Sequence, residues 1–437
     1  MTEFFKDIPV IKYEGPNTKN LLAYRFYNPQ QKVLGKTMEE QLRLAVCAWH
    51  NFVWMGHDIF GEETFVRPWK QGSDPMQQAS QRVDAIFEFI TKLNIPFFTF
   101  HDRDVAPEGK TIQESNDNLQ KIADQIAGKI QQTGKKLLWG TANLFSHRRY
   151  MAGAATNPDP EIFAYAVAQA KKALDVTNQL NGENYVFWGG REGYDTLLNT
   201  DMKQETEQFA RFFHMMVDYK HKIGFKGDFL IEPKPCEPTK HQYDYDTATV
   251  YAFLKKFGLE KEFKVNIEGN HATLAGHSFS HEVAYAYANG IFGSVDANIG
   301  DAQLGWDMDY FPVDITDLTQ VLYIMLLNGG FGRGGFNFDT KVRRQSIELS
   351  DLFYGHIGAI DILARALLTA AKLIEEGLIK DFVAERYIGW NKGVGKDILA
   401  GKFDVEKLAQ YATQQAAPQP KTGRQEMLQN IINNALN

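Results

Sequence analysis

The chain has 437 residues, of which 44% are hydrophobic, with a formal charge of −7 and two cysteines. That length and apolar fraction supply a large core, arranged as two domains or as one barrel with additions, and exclude a disordered chain. The negative balance and the lack of any Lys/Arg-rich block speak against nucleic acid as a partner, and Cys47 and Cys236 lack the CxxC spacing of a thiolate metal site.

The first residues, MTEFFKDIPVIKYEG, hold no uninterrupted apolar core and no small-residue cleavage site, so no signal peptide is expected. No run of 18 apolar residues suggests a membrane span. Few cysteines and no leader point to a reducing cytoplasm. After a polar stretch to about Leu34, the run Leu42 to Trp49 (LRLAVCAW) reads as strand or helix. Asp74 and Pro75 make a helix start, and Val83, Phe87 and Ile90 recur at helical spacing until Asn94. A second apolar run, Ile95 to Phe100, follows and ends in His101.

Helix then strand keeps returning. Ile112 to Thr133 leads into Lys136 to Thr141, Glu161 to Leu180 into Asn184 to Trp188, and Asp201 to Ile223 into Asp228 to Ile231. Tyr245 to Phe257 leads into Phe263 to Ile267, Ser278 to Asn289 into Ile291 to Val295, and Ile315 to Leu327 into Gly335 to Phe338. With Leu42 to Trp49 these make eight strand candidates. Eight alternating units predict a closed (β/α)8 TIM barrel of the α/β class, with a doubly wound open sheet as the alternative. The GxGxxG match at Gly330, Gly332 and Gly335 precedes its strand, so it reads as a loop and not as a dinucleotide fingerprint.

The unusual residues fall at the strand ends: Trp49, His101, Asn143, Trp188, Glu232, Glu268, Asp296 and Asp339. A barrel gathers its strand C-termini on one face, so these distant positions would ring one basin. In GSVDANIGDAQLGWDMDYFP, Asp296 closes an apolar run, and Asp307 and Asp309 alternate as two oxygen donors facing one hole would. Singly, each acid reads as a cap or a surface ion pair. Together, Glu232, Glu268, Asp296, Asp307, Asp309 and Asp339 would raise one another's pKa values and destabilise the fold unless cations lay between them. Oxygen ligation favours Mg²⁺ or Mn²⁺, and the imidazole of His271 admits Mn²⁺ or Co²⁺ at one site. Lys234, two residues past Glu232, would point the same way and stay protonated among the acids, able to bond a substrate oxygen. His101 with Asp104 reads as an acid/base pair, and Trp49, Phe145 and Trp188 as an apolar wall for a sugar ring.

The segments FHDRDVAPEG, IEPKPCEP, NIEGNHATLAGH, WGGREGYD and GDAQLGWDMD resemble the xylose isomerase family, in its longer class with an N-terminal extension. The resemblance covers essentially the whole chain. It implies a first metal held by Glu232, Glu268, Asp296 and Asp339, and a second held by Glu268, His271, Asp307 and Asp309. It also implies ring opening by His101 with Asp104, contact of Lys234 with the aldehyde oxygen, and a hydride shift that turns D-xylose into D-xylulose, with D-glucose a poorer substrate. Phe60 is implied to enter a neighbouring subunit's site, Trp188 to form the apolar wall, and the assembly to be a homotetramer built as a dimer of dimers. Residues 1–380 would form the barrel with its extension, and 381–437 an arm wrapping a neighbour. An isomerase or epimerase of another sugar, a two-metal hydrolase or nuclease, and a metal-free sugar-binding protein are the rival readings.

Overall fold

A computed structural model describes residues 3–436. Eight parallel strands close a barrel in chain order: β1 (Ala45–Cys47), β2 (Phe97–His101), β3 (Lys136–Thr141), β4 (Asn184–Trp188), β5 (Asp228–Glu232), β6 (Phe263–Glu268), β7 (Phe292–Asp296) and β8 (Phe336–Phe338). The ring is sealed by pairing of β8 with β1, where Asn337 lies opposite Ala45. The eight expected strands are all present, with ends displaced by a residue or two except at β1, which is shorter than Leu42 to Trp49. There the chain leaves the strand at once for a π-helical turn, Trp49–Val53.

The outer helices are α1 (Pro75–Lys92), α2 (Ile112–Thr133), α3 (Pro160–Gln179), α4 (Met202–Ile223), α5 (Thr247–Phe257), α6 (Phe279–Ala288), α7 (Ile315–Leu327) and α8 (Leu349–Glu376). Their starts are fixed locally. Asp74, Thr111, Asp159, Asp201, Asp246, Ser278 and Asp314 each accept a hydrogen bond from a backbone N–H of the first turn of α1 to α7. Gly134 and Gly258, at φ 71° and 70°, end α2 and α5 in the left-handed region that glycine enters without strain. Apolar faces then turn inward; α1 buries Val83, Ile86, Phe87, Phe89 and Ile90 against the barrel.

The sequence reading passed over α8, the longest helix among the described residues at 28 residues. It follows the last strand-end motif, so no strand behind it marked it as part of the alternation. It closes the helical ring and anchors the N-terminal extension, since Asp361 accepts from the backbone N–H groups of Arg25, Phe26 and Tyr27. Beyond it lie the helices Leu378–Tyr387, Gly393–Leu399, Val405–Thr413 and Gln425–Ala435. None of the described helices is long and apolar enough to cross a membrane.

His356 sits fully buried in α8 against Phe89, Phe311 and Phe338, with Nδ1 2.7 Å from the Leu352 carbonyl. Burial pushes its pKa down to about 4. The unfolded chain therefore takes up this proton near the ordinary value, whereas the folded protein resists until about pH 4. Stability should be intact above pH 6.5 and fall on acidification towards pH 4, by roughly 3 kcal/mol from this residue. Denaturant midpoints measured across that range for wild type and His356→Asn should show a shallower acid limb in the variant.

Candidate active site

The C-terminal ends of the strands surround a cavity of about 360 Å³. Trp49, His101, Asp104, Asn143, Phe145, Trp188, Glu232, Glu268, His271, Asp307, Asp309 and Asp339 all line it. Asp296 lies deeper, fully buried beneath Glu232 and Asp339. Lys234 is 3% exposed at the rim, its ammonium paired with Asp307 and 3.3 Å from Glu237. Phe60 stands outside the basin, 75% exposed and stacked on Trp306 with ring centroids 5.7 Å apart.

Two groups of acids share one member. Ligand atoms of Glu232, Glu268, Asp296 and Asp339 lie within 4.8 Å of one another, and so do those of Glu268, Asp307 and Asp309. His271 adds its Nε2 3.1 Å from Glu268 Oε2 and 3.2 Å from Asp307 Oδ2. The first group is carried by barrel strands or their ends. Asp307 and Asp309 come from the outer strand Trp306–Tyr310 of an antiparallel hairpin with Ile299–Asp301. Extended backbone brings both carboxylates to the basin, and Asp309 takes a φ of 47°, an uncommon conformation for a residue with a Cβ.

Amides fix the strand-end acids. Asn266 Nδ2 donates to Glu232 (3.0 Å), Asn298 Nδ2 to Glu268 (2.7 Å), and Asn337 Nδ2 to Asp296 (2.8 Å). Asp296 Oδ2 is buried and accepts no hydrogen bond among the described residues. A buried carboxylate oxygen left without a donor is costly, and a cation removes that cost. The donor set, carboxylate oxygens at the first group and carboxylates with the His271 imidazole at the second, suits divalent ions.

The charges are not uniform, which corrects the expectation that crowding raises every acid. Burial, then neighbouring acids, pushes Glu268 and Asp296 well above the usual carboxylate range; burial also raises Glu232, although His271 opposes it. At Asp307 burial is outweighed by the Lys234 ammonium and His271, which hold the carboxyl well below that range. Asp309 is also lowered, because Lys341 and His50 outweigh burial and the adjacent Asp307. Lys234 in turn is pushed up, burial being overcome first by Asp307 and then by Glu237.

Sequence comparison adds an independent observation. Across 434 residues, 99% of each chain, the protein is 60% identical to the xylose isomerase of Paraburkholderia xenovorans. The chain belongs to the xylose isomerase family. The xylose isomerase of Pseudoalteromonas atlantica is 57% identical over the whole of both chains. Residues 383–436 match the XylA2 C-terminal domain. Among solved structures, a D-psicose 3-epimerase crystallised in the presence of D-fructose shares the fold, with a TM-score of 0.52 at 12% identity, over 75% of this chain and 100% of that one.

Within this xylose isomerase family member, the sequence reading missed His50. It treated His271 as the basin's single metal-side imidazole, yet the π-helical turn after β1 delivers a second, with Nε2 3.2 Å from Asp309 Oδ2 and 3.0 Å from Asp339 Oδ1. Burial opposes its charge, but Asp309 and Asp339 lift its pKa to about 9. Trp49 Nε1 donates to the same Asp339 oxygen at 2.8 Å, and Lys341 Nζ to the same Asp309 oxygen at 2.7 Å. One oxygen of each acid is thus occupied and the acid's orientation set. Aspartates two and four residues past a glycine, as Asp307 and Asp309 are past Gly305, are visible in sequence; a histidine inside a five-residue π-turn carries no periodic signal. Replacing His50 by Asn should weaken divalent-metal binding by about 10–100-fold, as loss of an outer hydrogen-bond partner does. Titration of chelator-stripped protein with Mn²⁺ measures this, and unchanged affinity would rule the role out.

Proposed function

We propose that the protein is a metal-dependent aldose–ketose isomerase that converts D-xylose to D-xylulose, and D-glucose to D-fructose less efficiently. The observation that carries this reading is the pair of acid clusters joined through Glu268 at the floor of a sugar-sized cavity with an apolar wall. Glu232, Glu268, Asp296 and Asp339 would hold one divalent ion, and Glu268, His271, Asp307 and Asp309 a second, with Mg²⁺, Mn²⁺ or Co²⁺ as suitable occupants. When bound, such ions polarise a carbonyl and stabilise a neighbouring alkoxide, as aldose–ketose conversion requires.

The chain's own groups supply the rest. His101 Nδ1 lies 2.9 Å from Asp104 Oδ2, an arrangement that fixes the tautomer and leaves Nε2 for the sugar's ring oxygen and anomeric hydroxyl. Burial works against a charged His101, but Asp104 outweighs it and raises the pKa, which suits a group that gives up a proton in ring opening. Trp49 lies edge-on to His101 (4.6 Å) and Phe145 edge-on to Trp188 (4.4 Å), apolar walls on which an open chain can lie while water is excluded. Lys234, beside Asp307 at the rim, is placed to donate to the aldehyde oxygen. In the isomerisation a hydride passes from the second carbon to the first and a proton from the second hydroxyl to the first oxygen.

The assembly we favour is a homotetramer made of paired dimers, with residues 381–437 as an arm against a neighbour and 1–380 as the barrel unit. Its support is the helix Leu378–Tyr387, which buries no residue in the isolated chain, and exposed Trp390, Leu399 and Val405 beyond it. Phe60, exposed apart from its stacking on Trp306, would enter a neighbour's basin in the same assembly.

The direct test strips the protein with a chelator, restores Mg²⁺, Mn²⁺ or Co²⁺ separately, and follows D-xylulose. D-Xylose deuterated at the second carbon should keep its label in the product; wash-out into water would replace the hydride shift with an enediol route. Glu268→Gln should impair both metal sites at once. His101→Asn should spare metal binding and slow turnover of the cyclic sugar by about 10²–10⁴-fold. Equal metal loss in the two variants would contradict these roles.

A further inference from the structure

Behind the basin, past the short helix Gly269–Leu274 that carries His271, lies a second convergence of imidazoles and acids that the isomerisation does not use. A ligand atom from each of His277, His281 and Glu282 lies within 4.8 Å of the others. The two rings lie beside each other, with centroids 4.7 Å apart and planes 34° from parallel. Local structure produces this pairing. Ser278 caps α6 by accepting from the His281 backbone N–H at 3.1 Å, so His281 sits in the first turn and His277 on the chain just before it.

Two anchored acids face the imidazoles. Glu282 is 3% exposed and accepts through Oε2 from the Thr247 backbone N–H at 2.8 Å and from the Thr247 hydroxyl. Its other oxygen, Oε1, is 4.0 Å from His277 Nε2. Asp246 caps α5 through Oδ1, 2.7 Å from Thr249 N, and holds Oδ2 3.1 Å from His277 Nε2. Each acid therefore spends one oxygen on the start of α5 and turns the other towards the same ring. A plain ion pair uses one imidazole and one acid; here two of each converge, and the acids are held by bonds that do not involve the imidazoles.

Bonds of about 2.1 Å to one cation place its ligands roughly 3 to 4.2 Å apart. The 3.1 Å and 4.0 Å separations fall in that window, and His281, exposed on its helix turn, completes the set by rotating its side chain. We propose that His277, His281 and Glu282, with Asp246 beside them, form a separate surface site for a divalent ion of the Zn²⁺, Ni²⁺ or Co²⁺ type. Two imidazoles select such borderline ions over Mg²⁺, which prefers oxygen donors and retains its water. An ion there ties the loop after the His271 helix to the first turns of α5 and α6.

The test is uptake of Ni²⁺ by the full-length protein kept in saturating Mg²⁺, measured by equilibrium dialysis with metal analysis. Wild type should take up one more Ni²⁺ per chain than His281→Ala, and His277→Asn should show the same loss. Ni²⁺ should also raise the Tm of wild type above its value in Mg²⁺ alone, and raise that of either variant less, since an ion bound only by the folded state stabilises it. Both variants change exposed or half-exposed side chains, and unaltered circular dichroism confirms their fold. Equal Ni²⁺ uptake and equal Tm shifts in all three proteins would overturn the site.

Discussion

Like charges in a shared low-dielectric space are the constraint that the rest of the structure answers. Six carboxyl groups meet at the mouth of the barrel, and four of them, Glu232, Glu268, Asp296 and Asp339, have ligand atoms within 4.8 Å of each other. Such a cluster is unfavourable on its own. The fold meets the cost in layers. Asn266, Asn298 and Asn337 donate to Glu232, Glu268 and Asp296; Lys234, Lys341 and His50 set positive charge against the hairpin acids, and His271 adds a hydrogen bond to Asp307; cations are proposed for what remains. A closed barrel is well suited to hold this arrangement, because its strands fix each side chain from behind while the helices bury the apolar outer faces.

The two clusters are prepared differently. Glu232, Glu268 and Asp296 are buried, paired with the neutral amides of Asn266, Asn298 and Asn337, and pushed towards the protonated form. The hairpin acids Asp307 and Asp309 are held ionised by lysine and histidine before any metal arrives. Metal binding to the first cluster therefore competes with protons, whereas Asp307 and Asp309 present carboxylates that are already ionised and held in place. The division follows from topology. Strand ends look into the barrel interior, while the hairpin arches over from the rim, where long basic side chains reach it.

Much of this was legible in the linear chain, for physical reasons. Helix followed by buried strand repeats with clear periodicities, and caps such as Asp74-Pro75 announce the helix starts. Strand-end acids break an apolar run, so they stand out. The alternation of Asp307 and Asp309 corresponds to a real strand, although its partner Ile299–Asp301 was not foreseen, since a three-residue strand has no readable period. His50 was hidden in a π-turn. The three orienting asparagines lie in or beside strands, where one polar residue does not reveal which acid it will meet. Helix α8 was overlooked because no strand follows it. The opposing pKa directions depended on Lys341 and His50, which only the folded chain brings to Asp309.

The measurement that bears most directly on the central constraint is calorimetric titration of chelator-stripped protein with Mg²⁺ near neutral pH, in buffers of different ionisation enthalpy. If ions replace protons among the strand-end acids, two Mg²⁺ should bind per chain, with net release of protons to the buffer and affinity that rises with pH. Binding of a single ion, or of two with no proton released and no dependence on pH, would contradict it.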